Sequence, residues 1–300
     1  MSSASAFDLQ AYLRERVRWV DEALERFLPD EGERPQQLHR AMRYSTLSGG
    51  KRLRPVLVIA GAEAVGGEAS LVMPTACAIE LIHTFSLIHD DLPAIDNDTL
   101  RRGRPTCHVQ FGEATAILAG DALFASAFEL IARNAETAPA ERVVQVLRLV
   151  AEASGTRGMV GGQMVDIESE GKPVDADTLE YIHRHKTAAL IRASVLSGAV
   201  LAGANQEQLK ALSYYGECVG LAFQIADDLL NVLGDPRKMG KAVGTDAARG
   251  KATYPALFGV DASRRRAYHL VQEAVQALRD FGEKAEPLRA IAHLVVEREG

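Results

Sequence analysis

Phe223-Gln224-Ile225-Ala226-Asp227-Asp228-Leu229-Leu230-Asn231 decides the fold class, because its polar residues recur at helical intervals. Gln224, Asp227, Asp228 and Asn231 stand three and four residues apart and share one edge of a helix, while Leu221, Phe223, Ile225 and Leu229 form its other side. A second stretch of the same kind, Leu87-Ile88-His89-Asp90-Asp91-Leu92-Pro93-Ala94-Ile95-Asp96, lies upstream. Adjacent ionised carboxylates repel each other and lose hydration in apolar surroundings. Their occurrence twice implies a strongly positive partner between them, and magnesium holding a diphosphate is the simplest candidate.

The helical periodicity extends outward over the whole chain. Leu9, Leu13, Val17, Val20, Leu24 and Phe27 mark one apolar stripe, and similar runs cover 53–65, 71–92, 114–133, 142–153, 179–201, 206–233 and 265–281. Breakers such as Pro29-Asp30-Glu31-Gly32, Gly66-Gly67, Gly171-Lys172-Pro173 and Gly203-Ala204-Asn205 separate most of them, and Asp177 with Glu180 reads as a capped helix start. Small residues inside helices, as at 122–127 and 199–202, suit close packing in a bundle. The expectation is an all-α protein, one large helical bundle with a central cavity spanning 1–300, with residues 1–6 outside the ordered fold.

The chain has 300 residues, 47% of them hydrophobic and 25% charged, enough to bury a large core. A net charge of -6 and a pI near 5.8 argue against nucleic-acid binding, which rests on clustered Lys and Arg. Cys77, Cys107 and Cys218 are far apart and lack metal or redox spacing, and no signal-peptide apolar region follows the first residues, so a cytoplasmic location is expected. No membrane insertion is expected either: 115–132 is interrupted by Asp121 and Glu129, and 190–204 carries Arg192 and falls short of the ~20 apolar residues of a span.

At the first motif, His83 and Asp90 are seven residues apart and share a helix face, with the histidine about 10 Å from the carboxylate along the axis. Asp96 reaches the same place only if the chain departs from helix near Leu92-Pro93. Cations complete the pattern. Ser48-Gly49-Gly50-Lys51-Arg52-Leu53-Arg54-Pro55 opens a helix where backbone amides and three cations converge on a phosphate. Arg101-Arg102-Gly103-Arg104 follows the first motif, Lys186-Thr187 follows His183 and His185, and Lys238, Lys241 and Lys251 follow the second. So much positive charge fits two anionic groups, one bridged to acid by metal and one held directly.

In the order and spacing of Gly49-Gly50-Lys51-Arg52-Leu53-Arg54-Pro55, Asp90-Asp91 with Asp96 and Leu100-Arg101-Arg102-Gly103, Gly162-Gln163 with Asp166, His185-Lys186-Thr187, Phe223-Gln224 with Asp227-Asp228, and Gly240-Lys241, the chain resembles the trans-type isoprenyl diphosphate synthases, the bacterial farnesyl diphosphate synthases in particular. The resemblance implies that Asp90, Asp91, Asp96, Asp227 and Asp228 hold magnesium, three ions with substrate bound, on an allylic diphosphate whose oxygens Arg101, Lys186 and Lys241 bind. Isopentenyl diphosphate is implied to sit at Gly50, Lys51, Arg54, His83 and Arg102, with Phe223 shaping that site. Neutralising the leaving diphosphate lets the carbon-oxygen bond break, and the double bond of isopentenyl diphosphate attacks the allylic cation. Thr187, Gln224 and carbonyls near Lys186 are implied to stabilise that cation, and the released diphosphate to take the proton. A homodimer is the family's usual assembly.

Resemblance further implies that Phe85 and Ser86, just before the first acid pair, floor the pocket for the growing chain. A ring at Phe85 is expected to stop growth near fifteen carbons, giving farnesyl diphosphate, and Phe85→Ala to lengthen the product. Geranylgeranyl and geranyl diphosphate are the nearest variants. Asn231 departs from the aspartate many relatives carry there. Two other readings stand beside these: a magnesium-dependent hydrolase or cyclase on a similar bundle, which has no need of the second anion site at Lys51, Arg54 and Arg102, and a non-catalytic partner subunit, which loses one acidic motif where this chain keeps both.

Overall fold

Asp8 starts the first helix by accepting the Ala11 amide at 2.9 Å, and α1 (Leu9–Phe27) buries Tyr12, Val20, Ala23 and Leu24 along one side. The computed structural model describes residues 7–233 and 251–297. After α1 come α2 (Gln36–Thr46), α3 (Leu53–Ala64), α4 (Ala69–Asp90), α5 (Cys107–Phe111), α6 (Glu113–Arg133), α7 (Ala140–Ser154), α8 (Met159–Ser169) and α9 (Ala176–Ile182). A π-helical segment (His183–Ala188) joins α9 to α10 (Ala189–Leu201), followed by α11 (Gln206–Leu233), α12 (Tyr254–Phe258), α13 (Val260–Ala277) and α14 (Glu286–Glu297). A two-residue hairpin, β1 (Leu100–Arg101) paired antiparallel with β2 (Arg104–Pro105), is the one sheet among the described residues. The all-α expectation holds.

Helices at the centre are apolar on nearly every side. In α3 and α10 almost every residue is buried, because each is covered by several neighbours: α3 packs along α10 and α4, α4 along α6, and α10 along α11, which packs on α13. The closest approach is set by glycine. A Cβ at Gly198 would stand 1.8 Å from the Val58 carbonyl oxygen, and one at Gly61 2.2 Å from that of Val195. Tyr215 is fully buried, and its hydroxyl donates to the Leu288 carbonyl at 2.6 Å, which ties α11 to α14. By length and composition alone α4 and, taken with the turn after it, α6 are apolar enough to cross a membrane; here α4 is mostly buried between α3 and α6.

Several sequence expectations are corrected. The single run 179–201 is interrupted by the π segment, and the helix start is capped by Asp175, whose side chain accepts the Thr178 amide at 2.8 Å, not by Asp177, which falls in the first turn. Helices α2, α8 and α14 had no counterpart among the expected runs: their amphipathic patterns span only 11 or 12 residues.

Candidate active site

Helix α4 stops at Asp90. Pro93 carries no amide hydrogen to continue it, and the chain folds back so that the Asp96 amide donates to the Asp90 carbonyl at 2.8 Å and the Asn97 amide to that of Leu92 at 3.0 Å. This is the departure from helix that the spacing required, and it returns Asp96 to the end of the helix that carries Asp90. Burial raises the Asp90 carboxyl to about 6, with Lys186 opposing and Asp96 adding to the shift. Asp91 points elsewhere. It is 3% exposed and takes the Arg101 guanidinium in a two-pronged bond, Nε to Oδ2 at 2.8 Å and Nη2 to Oδ1 at 2.6 Å.

The opposite wall is built by α8, the π segment and α11. A π turn widens the helix by one residue and turns out side chains that a regular helix would keep in register. Here it presents Lys186 and Thr187 beside Gln224, Asp227 and Asp228 around a cavity of about 180 Å³ that Asp166 and Lys251 also line. Gly162 makes room for it, since a Cβ there would stand 2.3 Å from the Lys186 amide nitrogen. The Thr187 hydroxyl donates to Gln224 Oε1 at 2.8 Å, and Gln224 Nε2 donates to Asp228 Oδ1 at 2.9 Å. The other oxygen of Asp228 accepts the Tyr254 amide at 2.8 Å and lies 3.4 Å from His183 Nε2. Asp228 therefore spends both oxygens on protein groups, whereas Asp227 is half-buried at the cavity.

Lys251 joins the two walls, and Lys186 pairs within its own. Lys251 Nζ reaches Asp96 at 3.0 Å and Asp166 at 3.7 Å, and Lys186 Nζ bonds Asp166 at 2.5 Å. Asp166, quoted in the sequence without a role, and Lys251, counted there among the cations after the second motif, thus lie together at this cavity. Lys241 and Gly240 lie outside the described residues.

A cationic region adjoins Asp91 and Arg101. Burial lowers the Arg54 guanidinium from its ordinary value, with Glu80 and Asp227 opposing, and its Nε is buried without a hydrogen-bond partner. Burial also pushes the His83 imidazole well down, and Arg54, Arg102, Arg101 and Arg52 push it in the same direction, so His83 is neutral here. Arg102 reaches back to the Gly49 carbonyl and fills the space in front of Gly50, where a Cβ would stand 2.6 Å from its guanidinium carbon. Lys51 is exposed at the rim. The expected convergence of three cations is corrected to two. Arg52, in the left-handed region at φ 46°, turns inward and is used up by Asp21 (2.8 Å), Glu80 (2.7 Å) and the Thr46 carbonyl (2.8 Å). Cations crowded together with a buried donor that lacks a partner are chemistry suited to an anion.

The chain matches the family model described as polyprenyl synthetase over residues 35–293. It belongs to the polyprenyl synthetase family. Geranylgeranyl diphosphate synthase of Cyanophora paradoxa is 48% identical over 97% of each chain. Among solved structures, an FPP/GFPP synthase from Zymomonas mobilis is 38% identical with a TM-score of 0.86, covering 96% of this chain and 98% of that one. A geranyltransferase from Helicobacter pylori, complexed with magnesium and isoprenyl diphosphate, is 32% identical with a TM-score of 0.87, covering 99% of this chain and all of the other.

This polyprenyl synthetase is a prenyltransferase whose family acts with magnesium. The donor set fits that ion. Asp90, Asp96 and Asp227 are hard carboxylate oxygen donors, the kind through which magnesium is held by one or two protein groups with water and phosphate oxygens around it. Phe85 and Ser86 lie on α4 one turn before Asp90, as the synthetase's sequence placed them, and Ser86 Oγ donates to the His83 carbonyl at 2.8 Å. His89, which a helical phosphohydrolase would use as a metal ligand, instead sets Nε2 3.1 Å from the Ile117 carbonyl oxygen.

Proposed function

We propose that this synthetase condenses isopentenyl diphosphate with an allylic diphosphate and elongates it to geranylgeranyl diphosphate, releasing diphosphate at each step. The observation that carries the reaction is the pairing of two unlike anion sites, one lined by Asp90, Asp96, Asp227 and lysines and one lined by Arg54, His83 and Arg102. A hydrolase needs only the first. Asp90, Asp96 and Asp227 would hold magnesium, three ions with substrate bound, while Asp91 fixes Arg101 and Asp228 fixes Gln224. When bound, magnesium neutralises the leaving diphosphate.

The chain's own groups do the rest. Arg101 and Lys186 hold diphosphate oxygens, with Lys241 in support. The Thr187 hydroxyl donates its hydrogen bond to Gln224 Oε1, so its oxygen lone pairs are left to face positive charge developing on the allylic carbon. Arg54, Arg102 and Lys51 bind the second diphosphate, and neutral His83 adds a ring donor without further charge. Phe223, half-buried on α11 next to Gln224, shapes that site.

Geranylgeranyl diphosphate fits the curated relatives, most of which are named for it, better than farnesyl diphosphate does. The ring at Phe85 favours the fifteen-carbon reading. A product assay decides: purified protein, magnesium, labelled isopentenyl diphosphate and dimethylallyl or geranyl diphosphate, with the alcohols identified after dephosphorylation. Twenty carbons support the adopted product, fifteen carbons the alternative, and no condensation with either starter overturns the reaction itself. A homodimer completes the reading, supported by Val109, Ile117 and Leu118, which lie exposed on α5 and α6; light scattering at the monomer mass would overturn it.

A further inference from the structure

Phe85 does not set its own depth. Its ring faces α6, where the centroid of Phe124 lies 4.8 Å away, and Phe128 backs Phe124 at 5.1 Å in an edge-to-face contact. One turn along α4 towards the acids, His89 meets Phe85 edge-on at 5.0 Å. His89 is itself seated on α6: Nε2 lies 3.1 Å from the Ile117 carbonyl oxygen, and Gly120 has no side chain to displace it, since a Cβ there would stand 2.2 Å from that nitrogen. Phe85 is thus enclosed by Phe124 on one flank and His89 on another.

We propose that Phe124, backed by Phe128, is a positioning residue for product length, because it fixes how far Phe85 can retreat from the growing chain. The inference rests on the reading of Phe85 as the floor of the elongation pocket, and it places the stop that holds this floor on a different helix. On the flanks where Phe124 and His89 touch it, the Phe85 ring moves only where that neighbour yields. Another isoprene unit presses on Phe85, and Phe124 is what Phe85 would have to enter. Truncating Phe124 opens space beside Phe85, and the ring collapses into it, since a vacated apolar space is partly refilled by its neighbours. Enlarging Phe124 drives Phe85 the other way. All three rings are half-buried, so these changes fall at the edge of the core.

The test compares Phe124→Ala, Phe124→Leu, Phe124→Trp, Phe85→Ala and the double variant Phe85→Ala/Phe124→Ala as full-length proteins. Each is given magnesium, isopentenyl diphosphate and geranyl diphosphate, and the alcohols are resolved by length. Expected is a main product longer by one five-carbon unit or more for Phe124→Ala, a smaller shift in the same direction for Phe124→Leu, and a shorter product for Phe124→Trp. The rate of the first condensation stays unchanged, which separates a length effect from general damage. Because Phe124 acts through Phe85, the double variant makes nothing longer than Phe85→Ala alone. Unchanged lengths across the Phe124 series, with Phe85→Ala still lengthening the product, overturn the proposal and leave the floor in place. Unchanged lengths in Phe85→Ala as well overturn the floor together with the proposal. A double variant longer than either single one overturns the indirect route. If Phe124→Ala does not fold, the opposed shifts of Phe124→Leu and Phe124→Trp support the proposal and their absence overturns it.

Discussion

Asp90 works against the stability of its own fold. Its carboxyl is raised to about 6 by burial, against roughly 3.9 in an unfolded chain, so between those values the folded protein binds more protons than the unfolded one. Stability of the metal-free protein therefore falls as pH rises through that window, and the full deficit, up to roughly 3 kcal/mol, is present above it. Asp90→Asn is expected to melt higher than the parent in chelator at neutral pH, with the gap closing near pH 4, while condensation is lost. Equal melting curves at neutral pH would contradict this account. Arg54 is the mirror case, a buried guanidinium with an unmet donor. Arg54→Met removes a charge-assisted contact of about 1.5–3 kcal/mol, so KM for isopentenyl diphosphate is expected to rise by ~10–100-fold while KM for the allylic substrate holds and the melting temperature without ligand rises, as for Asp90→Asn.

At the scale of elements, two glycines do different jobs. Gly162 lets α8 lie against the π segment that turns out Lys186 and Thr187, so Gly162→Ala is expected to lower kcat by displacing those groups while the circular dichroism stays helical. Loss of helicity instead would make Gly162 a folding residue. Gly198 carries no site group and sets the contact of α3 with α10. Overpacking there is expected to cost about 1–3 kcal/mol or more, so Gly198→Val lowers the denaturant midpoint in urea and leaves the KM values of the remaining folded enzyme as they were. The hairpin of β1 and β2 belongs with these elements. Two residues per strand have no stability of their own, and Arg101 bound to Asp91 with Arg102 bound to the Gly49 carbonyl moors the hairpin to the end of α4 and to the loop before α3.

Across the whole molecule, Lys251 holds Asp96, past the end of α4, and Asp166 of α8 together, and Lys186 pairs with Asp166 on its own side. Magnesium with inorganic diphosphate would be held by Asp90, Asp96 and Asp227 beside those lysines, and a ligand at 100 times its Kd adds about 2.7 kcal/mol to stability. The two together are expected to raise the melting temperature by more than the sum of either alone, because each completes the other's coordination; strict additivity would argue against a shared site. Much of this was legible in the chain. The polar edge at Gln224, Asp227, Asp228 and Asn231 shows at spacings of three and four, and the fold-back between Asp90 and Asp96 follows from the proline between them. Arg52, by contrast, reads as one more phosphate-binding cation, and Asp91 and Asp228 read as twins of their neighbours. Sequence by itself determined the longer helices, the two acidic motifs and the family, because periodicity and local backbone chemistry act within a few residues. Only the tertiary structure decided which acid of each pair is tied to protein groups, which cation is locked inward, and which helix stands behind Phe85, because those depend on groups brought together from far along the chain, where burial and the nearest opposite charge decide a side chain's partner.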